Sequence, residues 1–310
     1  MLTVGLIGAG RIGRVHASTI VQDEGSQLVA VADSVDENAK NLAKLYKVNP
    51  RSVDAIFEDN SIEAILIASS TDTHSDFIEK ASIAGKAILC EKPVDLSLAR
   101  AKRCLENTKS NEHSIMMGFN RRFDPNFVAL KNALDGGEIG TAELLSITSF
   151  DPAPPPIDYV KVSGGIFKDM MIHDFDMANF LYGELPKSVF VAASAIIDKK
   201  IGALGDYDTA VATLKYRDGR LAVIKNSRRA TYGYDQRIEV LGSKGLLQVQ
   251  NMVENSMVKS TEMGVESSKP EYFFLERYKY AYQNEWTAFV TAVKTKTPMP
   301  VSLSDGIAAL

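Results

Sequence analysis

Gly8-Ala-Gly10-Arg-Ile-Gly13 leaves few folds open to this chain. The spacing is G-x-G-x-x-G, and it lies between an apolar, β-branched run over 2–7 and a stretch of helical periodicity over 10–21. In that context Gly8 permits a tight turn, Gly10 lets the backbone approach a pyrophosphate, and Gly13 lets helix pack on strand. The helix N-terminus then faces the phosphates. The spacing predicts a strand, turn and helix that cradle a dinucleotide, with Gly8, Gly10, Arg11, Ile12 and Gly13 on the cofactor face.

The rest of the first 120 residues continues the same alternation. Strands are expected over 2–7, 27–32, 64–68, 87–90 and 114–118, and helices over 10–21, 37–46, 73–84 and 96–110. Nearly all-apolar strands separated by helices predict a parallel sheet covered on both faces. After Gly118 the pattern changes to longer strands, over 143–150, 188–197, 209–216, 221–226, 236–241 and 246–250. Arg217-Asp-Gly219 and Gly242-Ser-Lys-Gly245 supply hairpin turns. The expected class is thus α/β, a doubly wound N-terminal Rossmann sheet over 1–120, followed over 121–310 by an α+β domain with a large, mostly antiparallel open sheet. Helices are expected over 125–134, 168–182 and 275–294, the Pro-rich run Asp151 to Pro156 as a shaped loop, and 251–269 as a polar surface loop. A further helix start near Ser302 or Ser304 leads to the expectation that the natural chain extends past Leu310. Strands 209–216 and 221–226 are apolar on both faces, more than a few helices can cover, so the open face is expected to meet another subunit.

Charge excludes some functions. Thirty-five Lys and Arg stand against 39 Asp and Glu, a net charge of -4, which gives no general attraction to nucleic acid or to an anionic membrane. The longest apolar run, Ala64 to Ala68, is far too short to span a bilayer, and the opening run, which passes straight into the glycine cluster with no basic or cleavage region, leads to no expectation of a secretory leader. Two cysteines, Cys90 and Cys104, suit buried filler in a reducing compartment, so a cytoplasmic location is expected.

Asp33 closes the second strand twenty-five residues after Gly8, where a carboxylate can accept hydrogen bonds from the adenosine ribose. Ser34 and Val35 follow it, with no arginine for a 2′-phosphate, so NAD is favoured over NADP. Ser69, Thr71 and His74 follow the third main strand at the sheet's carboxyl edge and are expected to line the cofactor. Glu91-Lys92-Pro93 follows the next strand, where Lys92 can polarise a substrate oxygen beside the nicotinamide. Asp169 and His173 are four apart on an expected helix, so a carboxylate can support an imidazole there. A metal reading of Asp169, His173, Asp174 and Asp176 is set aside, because Asp176 lies on another side of that helix.

With the glycine fingerprint, the Glu-Lys-Pro turn and Gly164-Gly-Ile-Phe-Lys-Asp169-Met-Met-Ile-His173, the sequence resembles the Gfo/Idh/MocA oxidoreductases over nearly its whole length. Asp169 and His173 match the Asp and His that act with the Lys in the inositol dehydrogenase branch. Gly118-Phe-Asn-Arg-Arg-Phe-Asp124 resembles the family's crossover, with Arg121 aligned to a substrate-facing Arg. Asn226 to Arg237 and Phe274 to Glu285 resemble its pocket-lining segments. The resemblance implies catalytic Lys92, Asp169 and His173, cofactor contacts that include Glu91 and Lys92, and substrate contacts at Lys92, Arg121, Asp151, Asp169, His173, Tyr234 and Tyr282. No metal is implied. Phe150 and Asn179 depart from the family pattern, where basic residues are common.

The activity implied is oxidation of myo-inositol at C2 by NAD, in inositol catabolism, by a homotetramer. The alternatives are a dehydrogenase of scyllo-inositol or a pyranose, and a non-catalytic NAD-binding regulator. Retention of Lys92, Asp169 and His173 together argues against the regulator.

Overall fold

The computed structural model describes residues 1–310. The chain divides into two compact units, Met1–Phe123 with Tyr280–Leu310, and Asp124–Lys279. This corrects the boundary expected from sequence, which assigned everything after residue 120 to the second domain. The reason is packing: Trp286 and Phe289 are fully buried, and the Trp286 indole N–H donates to Ser26 Oγ at 2.9 Å within the first unit. The last helix, Leu303–Ala309, starts on a Ser302 and Asp305 capping box, and the strand residue Met117 donates its N–H to the Val301 carbonyl at 3.0 Å.

The first unit is built on a parallel six-stranded sheet of β1 (Leu2–Ile7), β2 (Ser26–Ala32), β3 (Asn49–Pro50), β4 (Ala64–Ile67), β5 (Ala87–Glu91) and β6 (Ile115–Gly118), in the order β3-β2-β1-β4-β5-β6. The strand order reverses between β1 and β4, the switch point where doubly wound sheets bind ligands at their carboxyl edge. Five of these strands match expectation. The edge strand β3 and the helix Val53–Glu58 were not anticipated, since two exposed residues leave no period to read. Cys90 and Cys104 are both buried.

The second unit is a mixed sheet of β7 (Ala142–Phe150), β8 (Ser188–Ser194), β9 (Thr209–Lys215), β10 (Leu221–Ser227), β11 (Asp235–Gly242) and β12 (Gly245–Val249), in the order β12-β11-β7-β10-β9-β8. All neighbours are antiparallel except β7 and β10. That one parallel pair brings the carboxyl ends of β7 and β10 side by side, with Asp151 N–H donating to the Ser227 carbonyl at 2.9 Å. One sheet face is buried through Ala210, Ala212, Leu214, Ala222 and Ile224; on the other, Val211 and Leu221 are exposed, and at the edge Phe190 is 72% exposed. The stretch expected as a loop over 251–269 instead contains a hairpin, β13 (Val258–Thr261) with β14 (Gly264–Ser267). No helix is long and apolar enough to cross a membrane.

Candidate active site

Three loops leave the carboxyl ends of the adjacent strands β1, β4 and β5. In the first, Gly8 has φ +103°, and a Cβ there would lie 2.3 Å from the Ala68 carbonyl oxygen, so the turn admits glycine alone. A Cβ on Gly10 would meet nothing within 4 Å, which leaves open space against bare backbone. Asp33 Oδ2 accepts the Ala9 N–H at 2.6 Å and Oδ1 accepts the Val35 N–H at 2.8 Å. Asn38 Nδ2 reaches Oδ1 as well, at 3.5 Å, and Oδ2 retains a lone pair for a further donor. An open backbone cradle and a half-buried carboxylate fit a dinucleotide, whose pyrophosphate Gly8 to Gly13 would hold and whose ribose Asp33 would meet.

After β4, Ser69 Oγ and Thr73 Oγ1 share a hydrogen bond of 2.7 Å. Thr71 opens the short turn Thr71–Thr73. His74 is buried, with Nδ1 2.8 Å from the Pro93 carbonyl and Nε2 3.1 Å from the Ser69 carbonyl. Burial pushes its pKa down, against the raising effect of those two carbonyls. Its ring, expected to line the cofactor, therefore tethers two loops to each other.

Lys92 follows β5 and is half-buried, and its peptide bond to Pro93 is cis. The preceding Glu91, also expected at the cofactor, points its Oε1 to His16 Nε2 at 2.7 Å. Tyr282, expected at the substrate, is buried in the first unit and stands edge-on to His16 with ring centroids 5.4 Å apart. Beside them Glu285 is 0% exposed. Burial, then the neighbouring Glu91 carboxylate, hold its carboxyl well above the usual carboxylate range. Arg121 is buried in the turn Asn120–Phe123, whose Arg122 pairs with Asp305 at 3.3 Å.

In the second unit the helix expected over 168–182 begins as a π-helical turn, Ile166–Met171, and continues as an α-helix, Ile172–Tyr182. Such turns are rare and occur often at functional sites. Asp169 lies in the π turn and His173 in the α-helix, so the simple four-residue stacking expected from sequence does not describe the local backbone. Asp169 Oδ1 accepts the Tyr159 hydroxyl at 2.8 Å, and Oδ2 lies 3.4 Å from an Arg228 guanidinium nitrogen. Next to His173, the buried Asp174 carboxylate accepts Ser149 Oγ at 2.6 Å and Asn226 Nδ2 at 2.7 Å, which pins this helix to β7 and β10. Ser149 Oγ also lies 3.0 Å from Gln236 Oε1, which the Tyr278 hydroxyl reaches at 3.2 Å. Tyr234 is buried edge-on to Tyr278 at 6.1 Å.

The second unit thus brings together Asp151, Asp169 and the unanticipated pair Arg228 and Tyr159. His16 and Glu285 in the first unit were missed as well. His16 follows Gly13 by one helical step and could have been found on the inward face; nothing local marks the others.

Residues 2–119 match the oxidoreductase family model with an NAD-binding Rossmann fold, and residues 127–248 match the GFO/IDH/MocA C-terminal domain. The chain is 49% identical over 306 residues to an inositol 2-dehydrogenase of Rhizobium meliloti, covering 99% of this chain and 93% of that protein. It is 45% identical over 311 residues to a myo-inositol 2-dehydrogenase of Thermotoga maritima, covering 100% and 93%. A crystal structure of a putative myo-inositol dehydrogenase from Sinorhizobium meliloti superposes with a TM-score of 0.97 at 48% identity, covering 100% of this chain and 94% of that one. With both domain models matched and the glycine cradle and Glu-Lys-Pro turn in place, the chain belongs to the Gfo/Idh/MocA family of NAD-binding oxidoreductases.

Proposed function

We propose that this protein is an inositol 2-dehydrogenase that oxidises myo-inositol to 2-keto-myo-inositol with NAD. The observation that carries the reading is Asp169, held by Tyr159 and Arg228 on the helix of His173, in a chain that also keeps Lys92 after β5. His173 accepts the proton of the C2 hydroxyl. Lys92 and Asp169 hold and polarise the oxygen as the C–O single bond becomes a carbonyl. Bound NAD supplies the acceptor for the hydride that leaves C2. The residue match to the family is what joins Lys92 of the first unit to Asp169 and His173 of the second in one reaction. Arg121, Asp151 and Tyr234 complete the proposed polyol contacts, since every buried ring hydroxyl needs a partner.

The test is NADH absorbance on mixing protein with a panel of polyols and sugars and with either NAD or NADP. Myo-inositol with NAD is expected to give the highest kcat/KM, the Asp33 carboxylate disfavouring a 2′-phosphate. A stronger response to scyllo-inositol or a pyranose reassigns the substrate, equal use of NADP removes the role given to Asp33, and silence on all substrates favours a regulator.

We place the enzyme in the cytoplasm, in inositol catabolism, as a homotetramer. The assembly is supported by the open face of the second sheet, where Val211 and Leu221 are exposed and a groove of about 690 Å³ lined by Phe167, Val191, Tyr207 and Val211 runs along β8 and β9. Light scattering at micromolar concentration is expected to give four times the 33.9 kDa chain mass. A monomer overturns this assembly.

A further inference from the structure

Arg228 is 2% exposed, yet its guanidinium ends between two carboxylates, 3.4 Å from Asp169 Oδ2 and 4.0 Å from Asp151 Oδ2. Its place is fixed from the backbone outward. The parallel pairing of β7 and β10 sets Asp151 beside Ser227, the Arg228 N–H donates to the Asp208 carbonyl at 2.8 Å, and the Ala230 N–H donates to the Asp151 carbonyl at 2.7 Å. Asp208 is in turn immobilised, its carboxylate accepting the N–H groups of Ile196, Ile197 and Asp198 at 3.0, 2.8 and 3.0 Å. A buried cation of this kind is costly unless its charge is used, and the charges it meets belong to Asp169 and Asp151.

We propose that Arg228 is a positioning residue of the inositol reaction, holding the Asp169 carboxylate in place against Asp151 so that Asp169 can orient the substrate oxygen. The Tyr159 hydroxyl holds the other oxygen of Asp169, so the carboxylate is fixed at both oxygens, from the helix Ile157–Ser163 and from the end of β10. The carboxylate is thereby set before substrate arrives, and a carboxylate left to rotate would lose the alignment that the reaction needs. The inference rests on the function proposed above.

The test compares Arg228→Met and Arg228→Lys with the unmodified enzyme. Arg228→Met is expected to lower kcat on myo-inositol by about 10- to 100-fold while KM for NAD stays within about twofold. Arg228→Lys, which keeps the charge, is expected to recover most of that loss. Melting temperatures read the pairing without substrate: Arg228→Met should cost at most half as much in an Asp169→Asn background, because the stranded carboxylate is gone. If Arg228→Met does not fold, recovery of folded protein by Asp169→Asn gives the same support. Unchanged kcat in Arg228→Met, or an equal melting loss in both backgrounds, overturns the inference. A silent unmodified enzyme overturns the proposed substrate instead, and the melting comparison still decides the pairing.

Discussion

Lys92→Ala and His173→Ala are each expected to lower the rate of myo-inositol oxidation by roughly 10²-fold or more, the usual loss when a positioned proton-transfer group is removed. NAD affinity should stay within about twofold, because the pyrophosphate cradle of Gly8 to Gly13 and the Asp33 carboxylate are held by contacts that include neither side chain: Asp33 is fixed by the N–H groups of Ala9 and Val35, and Gly8 by the Ala32 carbonyl. Binding and chemistry therefore separate. Cofactor affinity read by fluorescence titration and turnover read by NADH absorbance distinguish the two. The rate of the unmodified enzyme should rise with pH as the general base becomes free to accept the hydroxyl proton. If His173→Ala keeps near-normal oxidation and the same pH profile, the base lies elsewhere and Lys92 is the next residue to test.

What the sequence discloses here is what repeats or punctuates. The glycine spacing, the alternation of apolar runs with helical stretches and the Arg217-Asp-Gly219 turn are local signals, and the elements they mark agree with the structure to within a few residues at most ends. Apart from the short β3, the helix Val53–Glu58 and the β13–β14 hairpin, the losses are long-range. Tyr280–Leu310 returns to the first unit because Trp286 finds Ser26 and Met117 finds Val301, pairings that no period announces. The π turn at Ile166–Met171 is invisible for a related reason. Its N-terminal Ile166 N–H is held by the Asp206 carboxylate at 3.0 Å, from a loop far along the chain. Lys92, Asp169 and His173 could be proposed from the sequence because their types and spacing carry chemistry. Arg228 was hidden in an Arg-Arg pair whose two members differ only in burial, Arg229 lying exposed on the surface. Tyr282 was named by resemblance alone, since no local signal marks the ring that stands edge-on to His16.

Glu285→Gln is expected to stabilise the protein increasingly as pH rises. Glu285 is fully buried, neither carboxyl oxygen has a hydrogen-bond partner, and Glu91 is the charged group acting on it, itself 2.7 Å from His16. Desolvation, with the Glu91 carboxylate second, raises the folded-state pKa, so the folded protein holds a proton that the unfolded chain releases near the ordinary glutamate value of 4.5. The sign follows from linkage. Stability from this group is fully present below pH about 4.5 and is lost as pH rises toward the folded pKa, by about 1.4 kcal/mol for each pH unit over which the folded form stays protonated. Glutamine has nearly the shape of the neutral acid and gives up no proton on unfolding, so the penalty disappears. Melting temperatures of the two proteins should nearly coincide at pH 4.5 to 5. From pH 5 upward the variant's melting temperature should rise steadily relative to that of the unmodified protein, for as long as the folded carboxyl keeps its proton. The same measurement on Glu91→Gln separates the two causes. Removing the neighbouring charge should relieve part of the penalty, whereas the desolvation of Glu285, its larger cause, should remain. A melting difference between Glu285→Gln and the unmodified protein that does not change from pH 5 to pH 8 would mean that Glu285 is ionised in the fold, with a counter-charge that its surroundings do not provide.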